Sequence, residues 1–105
     1  DVEGKDCILF DDMVDTAGSL CNAAKAIVEV GGAKSVYACA SHAVLSGPAI
    51  ERINASPITE LAFLDTIAPV DPALSEKIRY LTVAPMFAEA IERIYQEISV
   101  SKLWI

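Results

Sequence analysis

An apolar segment that runs into two acids and then into a series of small polar residues constrains the fold most. Residues 7–10 are apolar, Asp11 and Asp12 follow them, and residues 15–19 read Asp-Thr-Ala-Gly-Ser before a helix-like pattern begins. A short apolar run is typical of a buried strand of a parallel sheet, here with the acids at its carboxyl end. The order predicts a strand, a loop and a helix, with the loop at an open crevice.

The 15–19 loop has the chemistry of an anion site. Thr16 and Ser19 offer hydroxyl donors, and Gly18 permits a close backbone approach or a positive φ. The free N–H groups at the start of the following helix, aligned with its dipole, favour a phosphate dianion. Ionised Asp11 and Asp12 accept hydrogen bonds from vicinal ribose hydroxyls or help to hold a divalent cation. The segment therefore predicts a sugar-phosphate site.

Simple helix capping is the alternative interpretation, because Asp, Thr and Ser commonly begin helices. Two consecutive carboxylates at the end of a strand argue against it, since like charges side by side are unfavourable unless something compensates them. The loop also lacks the Lys of the Walker phosphate loop and the Gly-x-Gly-x-x-Gly pattern of dinucleotide sites.

The rest of the chain alternates helices and strands. The pattern predicts a helix over residues 20–28, a strand over 35–40, a short helix from a Ser46 cap to Ile53, strands over 60–64 and 78–83, and a helix that begins at Pro85. Such alternation predicts an α/β fold with a mostly parallel sheet flanked by helices. Ligands of these folds bind beyond the carboxyl ends of the strands.

Composition argues against several partners. The net charge of −7 and pI near 4.5 argue against nucleic acids and anionic membranes, which need a basic surface. No apolar run approaches the ~20 residues of a membrane span. Cys7, Cys21 and Cys39 show no Cys-x-x-Cys spacing and are predicted to be reduced core thiols of a cytoplasmic protein.

Two further polar positions follow predicted strands. His42 lies after the second strand, where a hydrogen-bonded loop histidine is favoured over a metal ligand because no second ligand has metal spacing. Asp65 and Thr66 follow the third strand, and a turn or capping role is favoured for them.

Residues 8–19 resemble the phosphoribosyl diphosphate (PRPP) motif of type I phosphoribosyltransferases, in the form used by ribose-phosphate diphosphokinases, also called PRPP synthetases. The resemblance continues in the same order through residues 1–6, 35–38, 41–42, 45–49, 65–67, 83–85 and 99–101. It implies a three-layer, type I phosphoribosyltransferase-like fold. It also implies that residues 1–105 are part of the C-terminal domain of a two-domain chain.

The resemblance implies that the full-length enzyme transfers the diphosphoryl group of ATP to ribose 5-phosphate, giving PRPP and AMP, with Mg²⁺ as cofactor. The motif residues that would bind ribose 5-phosphate are Asp11, Asp12, Asp15, Thr16, Ala17, Gly18 and Ser19. The two adjacent acids would face the sugar or its metal, residues 15–19 would wrap the 5-phosphate, and Asp15 would orient the loop through backbone donors. The ATP pocket, the metal ligands and the catalytic loop would lie upstream, so this fragment alone is expected to be inactive.

The family also implies a cytoplasmic homo-oligomer, specifically a hexamer, in which Ser99 and Ser101 contribute to a regulatory phosphate or ADP site shared between subunits. Two alternatives remain. A non-catalytic, synthetase-associated regulatory subunit would lack the upstream catalytic Lys or the metal-binding His. A phosphoribosyltransferase that acts on a nucleobase would need a base-recognition segment.

Overall fold

A computed structural model describes residues 1–104, apart from the side chains of Lys102 and Trp104. Strands and helices alternate along the described chain. The strands are β1 (Asp6–Val14), β2 (Ser35–Ala43), β3 (Ile58–Leu64) and β4 (Ile78–Leu81), and the helices are α1 (Gly18–Glu29), α2 (Ala49–Ala55) and α3 (Ala84–Tyr95). Short 3₁₀ turns occupy Pro72–Leu74 and Ser101–Trp104.

The four strands form one sheet in the order β1-β2-β3-β4, and every pairing between them is parallel. The predicted α/β class, with a parallel sheet flanked by helices, is confirmed. Because parallel strands end at the same edge of a sheet, the loops after β1 and β2 leave it side by side.

The core lies between the sheet and the helices α1 and α2. Leu20 and Ala24, which lie one turn apart on α1, are buried, as are Ala49 and Ile53 of α2. These four residues join Val36 and other inward-facing strand residues in a single apolar cluster. This cluster holds the first turn of α1 at the carboxyl edge of the sheet.

β1 is longer than the short apolar run that the sequence predicts. Among the described residues it is an outermost strand of the sheet, and Phe10 is 77% exposed within them. It also continues through the two acids, because its pairing with β2 extends to Val14 opposite Ala43. Asp11 and Asp12 therefore lie inside a strand rather than after its end.

The sheet face opposite α1 and α2 is largely open among the described residues. Leu81 on that face is 61% exposed. The predicted apolar stripe of α3, which includes Phe87 and Ile91, is exposed as well, and α3 contains no buried residue. The third layer that the resemblance implies is therefore not completed within residues 1–104.

The predicted Ser46 cap of α2 is wrong. The residue before α2 is Pro48, and no side chain caps this helix in the described structure. Ser46 donates its hydroxyl to the Asp15 carboxylate instead.

The cysteines Cys7, Cys21 and Cys39 are free and half-buried, so they border the core rather than fill it. Burial raises the pKa of the Cys21 thiol. None of the helices in the described part of the chain combines the length and apolar character that crossing a bilayer requires.

Replacing Ile53 by Ala tests the core beneath α2. Ile53 is fully buried, and the lost contacts and the cavity should lower the free energy of unfolding by about 2–5 kcal/mol. Val30→Ala is the control, because Val30 is 87% exposed and its loss should change the free energy by less than ~0.5 kcal/mol. Urea denaturation measures both, and similar losses would contradict this placement of α2.

Candidate functional site

The loop between β1 and α1 surrounds a cavity of about 210 Å³. The cavity is lined by Asp11, Met13, Val14, Asp15, Thr16, Ala17, Gly18, Ser19 and Leu20. Six of the seven residues predicted to hold a sugar phosphate therefore meet around one space. The seventh, Asp12, does not line it.

A hydrogen bond joins the two adjacent acids, which are consecutive in β1. Only Asp11 lines the cavity. The Asp12 N–H donates to Oδ1 of Asp11 at 2.8 Å, and this bond is the main reason that the pKa of Asp11 is lowered. Asp11 is therefore ionised at neutral pH and accepts hydrogen bonds at the cavity.

Ala17 turns the chain from the loop into α1. Its φ of 65° and ψ of 9° are left-handed, a conformation that costs a residue other than glycine about 1–2 kcal/mol. The sequence suggests Gly18 for such a role, but Gly18 serves a close approach instead. A Cβ atom on Gly18 would lie 3.2 Å from Nη1 of Arg52.

The start of α1 has no side-chain cap in the described structure. The capping alternative is therefore not what the 15–19 loop does. The N–H groups of a first helical turn have no intrahelical acceptors, so they remain available to a ligand or to water. Thr16 and Ser19 are exposed beside them. This combination favours an anion.

The loop after β2 holds the loop after β1. The N–H groups of Val44 and Leu45 donate to the Val14 carbonyl at 3.0 and 3.1 Å, and the Ser46 N–H donates to the Asp15 carbonyl at 2.9 Å. The Ser46 hydroxyl also donates to the Asp15 carboxylate. In the described structure, the contact that orients the Asp15 side chain thus comes from Ser46, not from the predicted backbone donors.

Arg52 on α2 makes a second contact from the same side. Its Nη1 donates to the Thr16 carbonyl at 3.1 Å, which brings a positive charge to a loop that carries Asp15 and lies beside Asp11. The sequence reasoning missed both Arg52 and Ser46 as site residues. Ser46 could have been found from the predicted parallel sheet, because the loops after β1 and β2 then leave the same edge of the sheet. For Arg52, an exposed helix residue, no comparable signal exists in the sequence.

The neighbouring strand ends carry structural contacts. Nδ1 of His42 lies 2.7 Å from Oγ1 of Thr66, and this hydroxyl also donates to the Ser41 carbonyl at 3.3 Å. The prediction of a hydrogen-bonded histidine is confirmed, although His42 lies inside β2 rather than in a loop. Asp65 accepts the Val83 N–H at 2.8 Å just before α3, and this bond is the main reason that the pKa of Asp65 is lowered. No side chain caps α3 in the described structure, so the capping role predicted for Asp65 is not confirmed.

Ser99 and Ser101 lie beyond the end of α3, and both are exposed. Their hydroxyl oxygens are 2.6 Å apart, and Arg93 donates to the Ser99 carbonyl at 2.9 Å. The regulatory role that the resemblance implies for these serines stays a prediction.

The Mg²⁺ that the resemblance implies would find at most two carboxylates together at this edge of the described structure, those of Asp11 and Asp12. Within residues 1–104, no three or more His, Cys, Asp or Glu side chains come together in a way that could hold a metal ion. Magnesium commonly takes one or two protein carboxylates and completes its shell with water and substrate phosphates. The exposed carboxylates of Asp11 and Asp12 fit such a partial contribution.

Substitutions at Ala17 test the left-handed turn. Ala17→Gly should keep the free energy of unfolding within about 1 kcal/mol, because relief of the turn offsets the greater freedom of glycine in the unfolded chain. Ala17→Val should lower it by at least ~2 kcal/mol, since a branched residue fits poorly at positive φ in a buried position. Chemical denaturation measures both changes.

Ala26→Val provides the matched control. Ala26 is exposed on α1, where the same replacement costs only the helix-propensity difference, up to about 0.7 kcal/mol. Equal losses at positions 17 and 26 would contradict a special conformation at Ala17.

Comparisons with known proteins point to the same family over almost the whole chain. The family described as phosphoribosyl synthetase-associated domain matches residues 1–105. A ribose-phosphate pyrophosphokinase of Clostridium tetani is 62% identical over 104 residues, which are 99% of this chain and 32% of that protein. Ribose-phosphate pyrophosphokinase 1 of Lactococcus lactis subsp. lactis is 55% identical over 104 residues, with the same coverage of 99% and 32%.

A solved structure gives the same result. The crystal structure of phosphoribosylpyrophosphate synthetase from Mycobacterium smegmatis matches with a TM-score of 0.87 at 34% identity, covering 92% of this chain and 32% of that one. The chain therefore spans about a third of the length of the relatives that it matches.

Proposed function

Because this chain belongs to the phosphoribosyl synthetase-associated domain family over residues 1–105, we propose that it forms the ribose 5-phosphate-binding part of a ribose-phosphate pyrophosphokinase. The relatives from Clostridium tetani and Lactococcus lactis carry that enzyme name. The 15–19 loop supports the proposal most directly. It combines an uncapped helix start with a cavity that Asp11 also lines.

The two ends of the cavity suit the two ends of the sugar phosphate. The 5-phosphate would accept hydrogen bonds from the first N–H groups of α1 and from the hydroxyls of Thr16 and Ser19. The ionised carboxylate of Asp11 would accept hydrogen bonds from vicinal ribose hydroxyls. Asp12 would support the sugar or its metal less directly, because it does not line the cavity.

In the complete enzyme, the anomeric hydroxyl of ribose 5-phosphate would attack the β-phosphorus of ATP, and the diphosphoryl group would move as one unit to give PRPP and AMP. Positioning and charge neutralisation contribute most to such a transfer. Mg²⁺, when bound, supplies part of that neutralisation. The share of this chain is to hold the acceptor sugar in place, with ATP bound mainly by other segments, so residues 1–105 alone should not catalyse the reaction.

The proposal includes a placement for the chain, taken from the resemblance of its motifs. We place residues 1–105 in the C-terminal, type I phosphoribosyltransferase-like domain of a cytoplasmic homo-oligomer, a hexamer. Ser99 and Ser101 would serve a regulatory phosphate, for which their hydroxyls, hydrogen-bonded to each other at 2.6 Å, leave one O–H donor.

Assays of the complete protein test the proposal. It should bind ribose 5-phosphate by calorimetry and form PRPP and AMP from ATP when Mg²⁺ is present. Binding without PRPP formation would favour a non-catalytic regulatory subunit, and PRPP consumption with a nucleobase would favour a phosphoribosyltransferase. A complete protein that does not bind ribose 5-phosphate would contradict the proposal.

Gly18→Val should weaken ribose 5-phosphate binding by more than ~2 kcal/mol. The added side chain would meet the Arg52 guanidinium, which lies 3.2 Å from the position of a Cβ atom, and would distort the loop rather than fill the cavity. Gly18→Ala is the graded control, because a shift of Arg52 by a few tenths of an ångström relieves its contact. Equal affinity of the Val variant and the wild type in calorimetry would refute the assignment.

A further inference from the structure

We propose that Arg52 and Ser46 are positioning residues for the 15–19 loop, which aim its N–H groups at the 5-phosphate without touching the ligand. The inference rests on the proposed ribose 5-phosphate site. Neither residue lines the cavity that the loop surrounds, and both reach the loop from the segment that follows β2.

Arg52 extends from a firmly held helix. Its neighbour Ile53 and the first residue of α2, Ala49, are fully buried, so the backbone from which the guanidinium reaches is fixed. Nη1 donates to the Thr16 carbonyl at 3.1 Å. Gly18 leaves room for this contact, since the guanidinium lies beside it.

Because the peptide bond is planar, the contact at the Thr16 carbonyl also fixes the direction of the next N–H group, that of Ala17. In a trans peptide, the C=O and the following N–H point in opposite directions. Holding the Thr16 carbonyl towards α2 therefore aims the Ala17 N–H away from α2. The Ser46 N–H holds the Asp15 carbonyl at 2.9 Å, which aims the Thr16 N–H in the same manner. Two successive peptide planes of the loop are thus set from outside the cavity.

Arg52 and Ser46 also offset the negative charge of Asp15 and stabilise the conformation of the loop. Asp15 would repel a phosphate dianion, and its carboxylate accepts the Ser46 hydroxyl while the cation of Arg52 lies at the next residue. The left-handed Ala17 is unfavourable by itself. A loop released from these contacts would populate other conformations. The apparent affinity for ribose 5-phosphate would then fall in proportion to the fraction of molecules whose loop is still in the binding conformation.

The experiment compares Arg52→Ala with Lys25→Ala in the complete protein. Lys25 lines the same cleft between α1 and α2 as Arg52, but its ammonium makes no hydrogen bond to the 15–19 loop in the described structure. Arg52→Ala should raise the dissociation constant of ribose 5-phosphate about tenfold, while Lys25→Ala changes it less than about twofold. The KM for ATP and the midpoint of thermal unfolding should stay at the wild-type values in both variants.

Rescue distinguishes positioning from a merely structural role. Millimolar methylguanidinium should restore ribose 5-phosphate affinity to Arg52→Ala and leave Lys25→Ala unchanged. Ser46→Ala should weaken binding severalfold, whereas Ser46→Thr, which keeps the hydroxyl, should bind like the wild type. In a double-mutant cycle, Ser46→Ala combined with Asp15→Ala should be no weaker than Ser46→Ala alone, because each change removes the same hydrogen bond.

Several results would overturn the inference. They are unchanged ribose 5-phosphate affinity in Arg52→Ala, equal weakening by Lys25→Ala, or a fall in the thermal midpoint that accompanies the weakening without rescue. If the wild-type protein binds ribose 5-phosphate and Arg52→Ala binds it equally well, only this inference fails. If the wild-type protein does not bind the sugar phosphate, the proposed function itself fails.

Discussion

Parallel pairing between β1 and β2 continues past the two acids as far as Val14 and Ala43. Because the strands end at the same edge, the loops that follow them leave the sheet side by side. Hydrogen bonds from the segment after β2 to the carbonyls of Val14 and Asp15 extend this pairing into the loops. The conformation of residues 15–19 therefore depends on the sheet as much as on their own sequence.

The proposed function requires the loop to attract an anion within a chain whose net charge is −7. Long-range attraction cannot assist, so the favourable terms have to be local: N–H groups at the start of α1, nearby hydroxyls and the guanidinium of Arg52. The lowered pKa of Asp11 keeps a carboxylate at the opposite end of the cavity. Positive and negative potential are thus separated along one short segment, which suits a ligand with a phosphate at one end and hydroxyls at the other.

The order of strands and helices followed from local patterns, and the structure bears it out. Runs of apolar residues, the helical spacing of Leu20 and Ala24, and the small residues between them report directly on backbone conformation. The length of β1 was not predicted, because the apolar run ends at Phe10 while the pairing with β2 continues to Val14. The cap predicted at Ser46 was wrong because the sequence shows only that Ser46 precedes α2. It does not show that the Asp15 carboxylate, on another loop, lies within reach of the same hydroxyl.

By itself, the sequence determined the parallel α/β fold, the position of the loop and the family, because each depends on residues that are close together in the chain or on similarity along its length. Only the tertiary structure decided which residues share the cavity. Asp11 lines it and Asp12 does not, and contacts across 31 and 36 positions bring Ser46 and Arg52 to the loop. The left-handed turn likewise falls at Ala17 rather than Gly18. Hydrogen bonds between distant segments, which no local pattern encodes, decide how the loop is aimed.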